Sequence, residues 1–433
     1  MVVTQSLNAA FISNADYFEQ IGVHVNEAWI IDAARTPRGI GKIGKGALAD
    51  LHPQRILSTV LRALAVRNGL QTIDIDEVVI GCNTQFGKQG YCIARMAQLD
   101  AGYDEHAPAF TLERFCGSGL TAIGQAVMGV ASGMQDLVVA GGVESMSHAA
   151  TLGMGTFIDS GNLHLRKAFP QPHQGISADL VATLEGIDRE ALDAYALQSQ
   201  RRAHAAISQG FFDRSLISVH DDAGNLLLDR DEYPRPQTTA ENLAALRPAF
   251  EALYRAALDE QGTTFASFVD QKYPSIEVGH VHTAGNSSGV VDGAGAVVIA
   301  SPAYAKAHGL KPRARIRAVA TAGDDPTLML NAPVPAARRV LDRAGMTIGD
   351  IDLFEVNEAF AVVPIKFMRD LDVDPAQLNV NGGAIALGHP IGATGAILIG
   401  TLLDEIERRD LSTGLVTMCT AGGMAPAVVI ERI

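Results

Sequence analysis

Two cysteines and one histidine stand in three glycine-rich segments that are far apart in the chain. Cys116 lies in Arg-Phe-Cys-Gly-Ser-Gly, His389 in the segment 382–395, and Cys419 in Met-Cys-Thr-Ala-Gly-Gly-Met. A thiol that is activated by a neighbouring base is a strong nucleophile, and histidine is a common base. A second thiol can act as acid and base near neutral pH. If the three segments meet, they could carry out covalent acyl transfer.

Each of these residues also has a simpler interpretation. Cys116 could be a buried structural cysteine, which is the usual fate of this residue type. His389 could be a loop histidine bonded to the backbone, and Cys419 could be a small buried hydrophobic residue. Asn357 and Glu358 follow a predicted strand and could be capping residues. The helical spacing that starts at Gly117 predicts that helix amides favour the Cys116 thiolate.

The elements around these residues alternate between strands and helices. An apolar strand is predicted at 109–112, immediately before Cys116, and another at 137–140. From Arg313 onward the pattern returns, with strands at 352–355 and 415–418 and a helix at about 394–408. Alternation of this kind predicts a layered α/β protein built from two similar halves. The ends of the strands in the two halves would then lie near one another.

A stretch of different composition separates the two halves. Residues of about 151–282 hold more charge and proline, with a helical segment from Asp188 to about Ala206, and read as an insertion. The predicted organisation is an N-terminal extension at 1–26, a first half at 27–150 completed by about 283–305, an inserted domain at 151–282 and a second half at 306–433.

Composition limits the classes of function. The 433 residues carry a formal net charge of −14, which argues against non-specific binding of nucleic acid. The four cysteines include no CxxC pair, so a reducing compartment is expected and a cytoplasmic location is predicted. The first Lys or Arg is Arg35, which is unlike a secretory or transit segment. No apolar run reaches about 18 residues, so no membrane span is predicted.

A glycine-rich loop near the N-terminus fits two nucleotide-binding patterns in form only. Residues 39–44 fit GxGxxG and residues 39–45 fit GxxxxGK. Gly46, however, replaces the Ser or Thr that would bind magnesium, and residues 32–38 separate the loop from its strand. A basic surface loop is therefore the favoured interpretation.

Taken together, the motifs resemble the thiolase family over about 27–433. The segments that carry the resemblance are 31–37, 114–119, 141–147, 283–289, 357–361, 381–395 and 419–424. Segments 175–186 and 193–200 are similar to bacterial 3-ketoacyl-CoA thiolases, of the type found as β subunits of fatty-acid β-oxidation complexes. The resemblance implies a layered α/β/α/β/α fold with an inserted loop domain. It also implies an acyltransferase that cleaves 3-ketoacyl-CoA with CoA through an acyl-cysteine intermediate.

The resemblance also implies a role for each matched residue. Cys116 would be the nucleophile, His389 its base, and Cys419 the acid and base at carbon and at CoA. Asn357 would hold a water that forms one oxyanion site with His389, and the backbone N–H groups of Cys116 and Ala421 would form the other. The inserted domain would cover CoA, with Ser288 at the pantetheine, Arg235 near the adenine end and His173 as a further pantetheine contact. CoA would be a substrate; no covalently bound cofactor and no metal are implied.

Two departures and several alternatives accompany this interpretation. Phe115 stands where many thiolases have Asn or Gln, and Ala421 stands where glycine is usual, which would cause strain if that position needed a positive φ. Cys92 matches no catalytic position and is read as structural. The alternatives are condensation of two acetyl-CoA, a ketosynthase, and a non-catalytic acyl-CoA-binding subunit. A homodimer or homotetramer is expected, and a hydratase/dehydrogenase subunit is a candidate partner.

Overall fold

The computed structural model describes residues 26–153 and 157–433. Apart from Asn26, the extension expected at 1–26 lies outside the described residues. The strands are β1 Ala28–Arg35, β2 Gly39–Ile40, β3 Glu77–Gly81, β4 Ala109–Leu112, β5 Leu137–Ser145, β6 Val219–His220, β7 Leu226–Leu228, β8 Val291–Ala300, β9 Ala314–Gly323, β10 Leu353–Val356, β11 Thr413–Thr417 and β12 Met424–Arg432. The helices are α1 Pro53–Asn68, α2 Ile93–Asp100, α3 Ser118–Ala131, α4 Met146–Ala149, α5 Leu163–Ala168, α6 Gln174–Glu185, α7 Arg189–Ser208, α8 Ala240–Ala244, α9 Glu251–Arg255, α10 Phe265–Lys272, α11 Pro302–Ala307, α12 Pro333–Ala344, α13 Val362–Leu371, α14 Ala384–Leu387 and α15 Thr394–Arg408.

The long strands form one continuous sheet whose two parts have the same topology. The first part has the order β4-β3-β5-β8-β1 and the second has β10-β11-β12-β9, and the two are joined where β1 pairs with β9. A bridge between Phe354 and Leu378 adds the position beside β10 that corresponds to β4 in the first part. In the first part β4, β3 and β5 are parallel to one another, in the second part β10 and β11 are parallel, and the other neighbouring pairs are antiparallel. The repeat expected from the sequence is therefore present in the strand order.

Two helices form the central layer between the two parts of the sheet. Helices α3 and α15 are buried over most of their surface, and residues 394–406 of α15 are all buried. A helix that is apolar on nearly every side must be surrounded by protein. One core cluster contains side chains from these two helices and from both parts of the sheet. Further clusters cover the outer faces, where α1 and α2 pack on the first part and α12 and α13 on the second.

The expected α/β/α/β/α layering is thus confirmed. Several element boundaries differ from the sequence-based prediction. The strand expected at 137–140 extends to Ser145, because the glycines at 141 and 142 lie within the sheet and are covered on both sides. Strand β12 was not predicted, because its proline interrupts the pattern. It pairs with β9 and β11.

Candidate active site

The Cys116 segment is a strained turn between β4 and α3. Phe115 has a φ of 47°, a conformation that bulky side chains rarely adopt. The Ser118 hydroxyl holds this turn, since it donates to the Phe115 carbonyl at 2.6 Å and accepts the Arg114 N–H at 2.8 Å. Strain of this kind is often found at functional sites. The turn places the Cys116 side chain at the start of α3, and the residue is 7% exposed.

Glycines let two other segments approach this turn closely. A Cβ atom on Gly119 would lie 2.5 Å from the Gly392 carbonyl oxygen, and one on Gly117 would lie 2.5 Å from Cγ2 of Thr420. Real Cβ atoms do not come so near, so side chains at these positions would push the segments apart. The His389 segment and the Cys419 segment therefore both lie against the Cys116 turn, as the resemblance implied.

His389 is held in one tautomer by its neighbours. Its Nδ1 atom is 2.6 Å from Oγ1 of Thr394, and that hydroxyl is 3.0 Å from the Pro390 carbonyl oxygen. Because a carbonyl can only accept, the hydroxyl proton points to Pro390, and Nδ1–H donates to Thr394. The lone pair is therefore on Nε2, which faces Nδ2 of Asn357 at 3.4 Å. This is the nitrogen that could take a proton from a thiol.

Cys419 follows the end of β11, in the turn before β12. The turn is closed by the Thr420 N–H, which donates to the Met424 carbonyl at 2.8 Å. Gly422 and Gly423 have φ values of 76° and 73°, but Ala421 does not have a positive φ. Alanine at 421 therefore carries no strain of the kind considered above, because the next two residues make the reversal.

The two thiols share one buried environment. Burial raises the pKa of the Cys116 thiol to about 12, and the Glu144 carboxylate adds to the rise. The backbone N–H groups of Cys116 and Ala421 reach the Cys116 sulfur and lower its pKa, which offsets part of this rise. Burial and the nearby Cys116 also raise the pKa of Cys419. The amides thus favour the Cys116 thiolate, as expected, but desolvation outweighs them, so the net shift of the Cys116 pKa is upward.

His389 is uncharged in the same environment. Burial, together with the positive charge of Arg38, lowers the pKa of His389 to about 3. At neutral pH the site therefore holds a neutral thiol at Cys116 and a neutral imidazole at His389. A proton must pass between them as the sulfur attacks, since neither residue is charged beforehand.

Asn357 lies at the end of β10, beside the end of β11. Its backbone N–H donates to the Thr417 carbonyl at 3.1 Å, two residues before Cys419. Strands β10 and β11 are parallel and in register from Leu353 with Gly414 to Val356 with Thr417. Their carboxyl ends therefore meet at one edge, and this edge brings Asn357 to the thiols. Its side chain is 1% exposed.

Two of the three candidate CoA contacts, Ser288 and Arg235, lie beside the pair formed by Gly289 and Tyr233. Ser288 is adjacent to Gly289, whose carbonyl accepts the His389 N–H at 2.8 Å, so Ser288 stands next to the thiol site. Arg235 is exposed, with its guanidinium 5.2 Å from the Tyr233 ring centroid. The Tyr233 ring packs on Gly289, where a Cβ atom would be 2.3 Å away.

His173 is a helix cap. Its Nδ1 atom accepts the Gly175 N–H at 3.1 Å at the start of α6, so Nε2 carries the ring proton. Burial lowers the pKa of His173. The ring lies 5.4 Å from that of Phe250. His173 is therefore an uncharged donor that keeps one N–H free of the cap.

Sequence reasoning missed a buried carboxylate that joins the segments. Glu144 accepts N–H groups from Asn83, Thr84 and Gly392 at 2.9, 3.1 and 3.0 Å, and the Gln89 amide at 3.1 Å. It therefore ties the segment after His389 to the segment that follows β3. An acidic residue inside an apolar, glycine-rich strand was the available signal, because such a residue needs several donors.

Within the described ranges, no helix is long and apolar enough to cross a membrane. The fold and the site together define a class: an α/β protein of two topologically equivalent parts, with two thiols and one imidazole where the parts meet. The model of the thiolase N-terminal domain matches residues 28–267, and that of the C-terminal domain matches 310–432. The chain therefore belongs to the thiolase family.

Relatives and solved structures agree with this assignment. A 3-ketoacyl-CoA thiolase of Colwellia psychrerythraea is 39% identical over 94% of this chain and 100% of its own. An acetyl-CoA acetyltransferase of Thiocystis violacea is 41% identical over 93% of this chain and 98% of its own. The crystal structure of human mitochondrial 3-ketoacyl-CoA thiolase in complex with CoA has a TM-score of 0.81 and 33% identity, covering 95% of this chain and 99% of that one.

Proposed function

We propose that this protein cleaves 3-ketoacyl-CoA with CoA, giving acetyl-CoA and an acyl-CoA shortened by two carbons, in fatty-acid β-oxidation. Relatives named 3-ketoacyl-CoA thiolase match over nearly the whole chain and support this activity. The observation that carries the mechanism is the proximity of the two thiols. The backbone N–H groups of Cys116 and Ala421 reach the Cys116 sulfur, and Cys116 is close enough to raise the pKa of Cys419.

The first half of the reaction forms an acyl-cysteine. Nε2 of His389 takes the Cys116 proton as the sulfur attacks the 3-keto carbon, and the oxygen of that carbon takes on negative charge. The N–H groups of Cys116 and Ala421 would stabilise this oxyanion. Removing one such donor typically costs about 3–4 kcal/mol in the transition state.

Cleavage of carbon from carbon then needs an acid. The bond between C2 and C3 breaks, its electron pair moves to the thioester enolate, and the Cys419 S–H gives its proton to C2, which releases acetyl-CoA. His389, now protonated on Nε2, is a donor to the enolate oxygen together with a water held by Asn357. A thiol with a raised pKa suits this step, because it carries its proton until the carbanion forms.

The second half returns the protein to its starting state. The Cys419 thiolate takes the proton of incoming CoA, and the CoA thiolate attacks the acyl carbon on Cys116. The Cys116 sulfur leaves and recovers its proton from His389. The acyl group ends on CoA, and both thiols and the imidazole are again neutral, as the buried environment favours.

The decisive experiment separates the two thiols. In Cys419→Ala, turnover of acetoacetyl-CoA with CoA should be lost, while incubation with acetyl-CoA should still place one acetyl group on Cys116, detected by peptide mass spectrometry. Cys116→Ala should lose both. Turnover by Cys419→Ala, or acetylation of Cys82 or Cys92 instead of Cys116, would show that the roles are wrongly assigned.

Condensation of two acetyl-CoA would use the same residues in reverse, and the relatives do not favour it over cleavage. A ketosynthase uses a second histidine or an asparagine instead of the second thiol, and a non-catalytic subunit would have no need of the three reactive residues. Activity with an acyl-carrier-protein thioester and none with CoA would support a ketosynthase. Binding of acyl-CoA without any turnover would support a non-catalytic subunit.

We also infer that residues 151–282 cover CoA, with Ser288 at the pantetheine, Arg235 near the adenine end and His173 as a further donor. The packing of Tyr233 between Arg235 and Gly289 supports this order along one path. A cytoplasmic homodimer or homotetramer, with a hydratase/dehydrogenase subunit as candidate partner, fits the same proposal. Arg235→Ala should raise the KM for CoA and leave kcat near that of the unaltered protein; an unchanged KM would remove Arg235 from the CoA path.

A further inference from the structure

A small buried cavity lies beside Asn357. Its volume is about 10 Å³, counted as the space open to the centre of a water molecule, which is room for one water. Its polar walls are Arg38, Glu355, Asn357 and Thr394, and α15 closes it with Ile397 and Thr401. All of these residues are buried.

Two polar atoms that belong to these lining residues have no protein partner among the described residues. Arg38 Nε is a donor and Asn357 Oδ1 is an acceptor, and both are buried. A buried polar group without a hydrogen-bond partner lowers the stability of the fold, so such groups are normally bonded to protein or to ordered water. A single water in the cavity could accept from Arg38 and donate to Asn357, and it would keep one further proton and one lone pair for a third partner.

Glu355 offers that third partner. It stands two residues before Asn357, so the alternation of a strand places both on the same face of β10, toward α15. Its side chain is 2% exposed. Burial and the carboxylates of Glu358 and Glu405 raise the pKa of Glu355 well above its usual range. A protonated carboxyl can both donate to water and accept from it.

We propose that Glu355 and Arg38 hold one water molecule in this cavity, and that this water fixes the side-chain amide of Asn357 with Nδ2 toward His389. Glu355 and Arg38 are then positioning residues, which act on the reaction through Asn357. The inference rests on the role proposed above for Asn357.

The orientation matters because the two ends of an amide have nearly the same shape but opposite hydrogen-bonding character. With Oδ1 bonded to the cavity water, Nδ2 is the end that faces His389 and the reacting groups. With the amide reversed, Oδ1 would face Nε2 of His389, and two acceptors would oppose each other. The reversed amide would also leave no donor for the oxyanion site.

Three variants test this with acetoacetyl-CoA and CoA as substrates. Glu355→Leu removes the polar partner of the water, and we expect kcat to fall about tenfold, because a buried group loses its partner, with the KM for CoA unchanged. Glu355→Gln keeps a donor and an acceptor and should restore kcat to within about threefold. Phe354→Leu alters the neighbouring residue on the opposite face of β10 and should lower the thermal midpoint without changing kcat.

Equal kcat values for Glu355→Leu and the unaltered protein would overturn the proposal. So would an equal loss in the Leu and Gln variants, because that would indicate a need for the charge or the fold and not for a hydrogen bond. If Glu355→Leu does not fold, Thr401→Ile adds bulk to the cavity wall and should lower kcat in the same way by excluding the water; normal kcat in this variant would also overturn the proposal.

A crystal structure of the unaltered protein gives a readout that does not depend on activity. We expect one ordered water within hydrogen-bonding distance of Arg38 Nε, Asn357 Oδ1 and the Glu355 carboxyl; an empty cavity would refute the proposal. If the unaltered protein cleaves no 3-ketoacyl-CoA of any chain length, the proposed function fails, while the water still decides this inference.

Discussion

Oγ1 of Thr394 lies 2.6 Å from Nδ1 of His389, and the same oxygen lies 3.0 Å from the Pro390 carbonyl. The first residue of α15 therefore selects the tautomer of the histidine that precedes this helix. Removing the hydroxyl would leave Nδ1–H buried without an acceptor.

We predict that Thr394→Val lowers kcat about tenfold, because the loss of a buried hydrogen bond of about 1–3 kcal/mol frees the imidazole to rotate or change tautomer. Thr394→Ser keeps the hydroxyl and should retain most of the activity. Steady-state cleavage of acetoacetyl-CoA measures both. A Val variant with the kcat of the unaltered protein would mean that Thr394 does not orient His389.

The close approach of Gly119 to Gly392 gives a second prediction. Gly119→Ala would place a Cβ atom 2.5 Å from the Gly392 carbonyl oxygen, which should destabilise the fold by about 1–3 kcal/mol and separate Cys116 from His389. Gly124 is the matched control, since it lies in the same helix with nothing within 4 Å of its Cβ position. Gly124→Ala should be neutral or stabilise by up to about 1 kcal/mol. Thermal denaturation and kcat distinguish the two; similar losses in both would contradict the contact.

The pKa values of Cys116 and His389 predict an unusual pH dependence of alkylation. With the pKa of His389 near 3 and that of Cys116 near 12, the neutral pair dominates between these values. Below the pKa of Cys116 the thiolate fraction rises about tenfold per pH unit, and His389 is already neutral, so nothing else in the pair titrates in that interval. The rate of Cys116 alkylation by iodoacetamide should therefore rise steadily from pH 5 to 9, without an inflection at the usual histidine pKa of about 6.5.

In His389→Asn the imidazole is absent, so the alkylation rate should rise about tenfold per pH unit in the same way, and this variant is the reference for a profile without histidine titration. The modified cysteine is identified by peptide mass spectrometry. An inflection between pH 6 and 8 in the unaltered protein would show that His389 titrates near its usual pKa and that burial does not control it.

Glu144 supplies the last prediction. Each of its carboxylate oxygens accepts two hydrogen bonds, so in Glu144→Gln the NH₂ group would face two donors. We expect a loss of about 1–3 kcal/mol in the free energy of unfolding and a lower kcat, because the segment after His389 loses an anchor. Glu105→Gln, an exposed change of the same type, is the control. Equal unfolding free energies in the two variants would exclude Glu144 as an anchor.

Part of the fold was accessible from the sequence because it depends on local patterns. The bounds of β4 were predicted to the residue and those of α15 approximately, since a short apolar run and a helical period are both set by neighbours in the chain. Strand β12 was missed because a proline interrupts its pattern, while its pairing with β9 and β11 depends on segments far along the chain.

The candidate site, like the fold, was only partly predictable from the sequence. The residue types at Cys116, His389 and Cys419, and the glycines beside them, are enough by themselves to indicate thiol chemistry. The sequence could not indicate that Ala421 avoids a positive φ, because that depends on how the turn at Gly422 and Gly423 closes. It also suggested amides that favour the Cys116 thiolate, but not that burial outweighs them.

The sequence by itself determined which groups can react and that they belong to two similar halves of a thiolase. Only the tertiary structure decided their protonation, their tautomer and the buried partners behind them, such as Glu144, Thr394 and the cavity beside Glu355. The physical reason is that desolvation and hydrogen bonding depend on which groups are close together in the folded protein, and not on which are close in the sequence. Some of the groups that act on Cys116 and His389, such as Ala421 and Arg38, are hundreds of positions away along the chain.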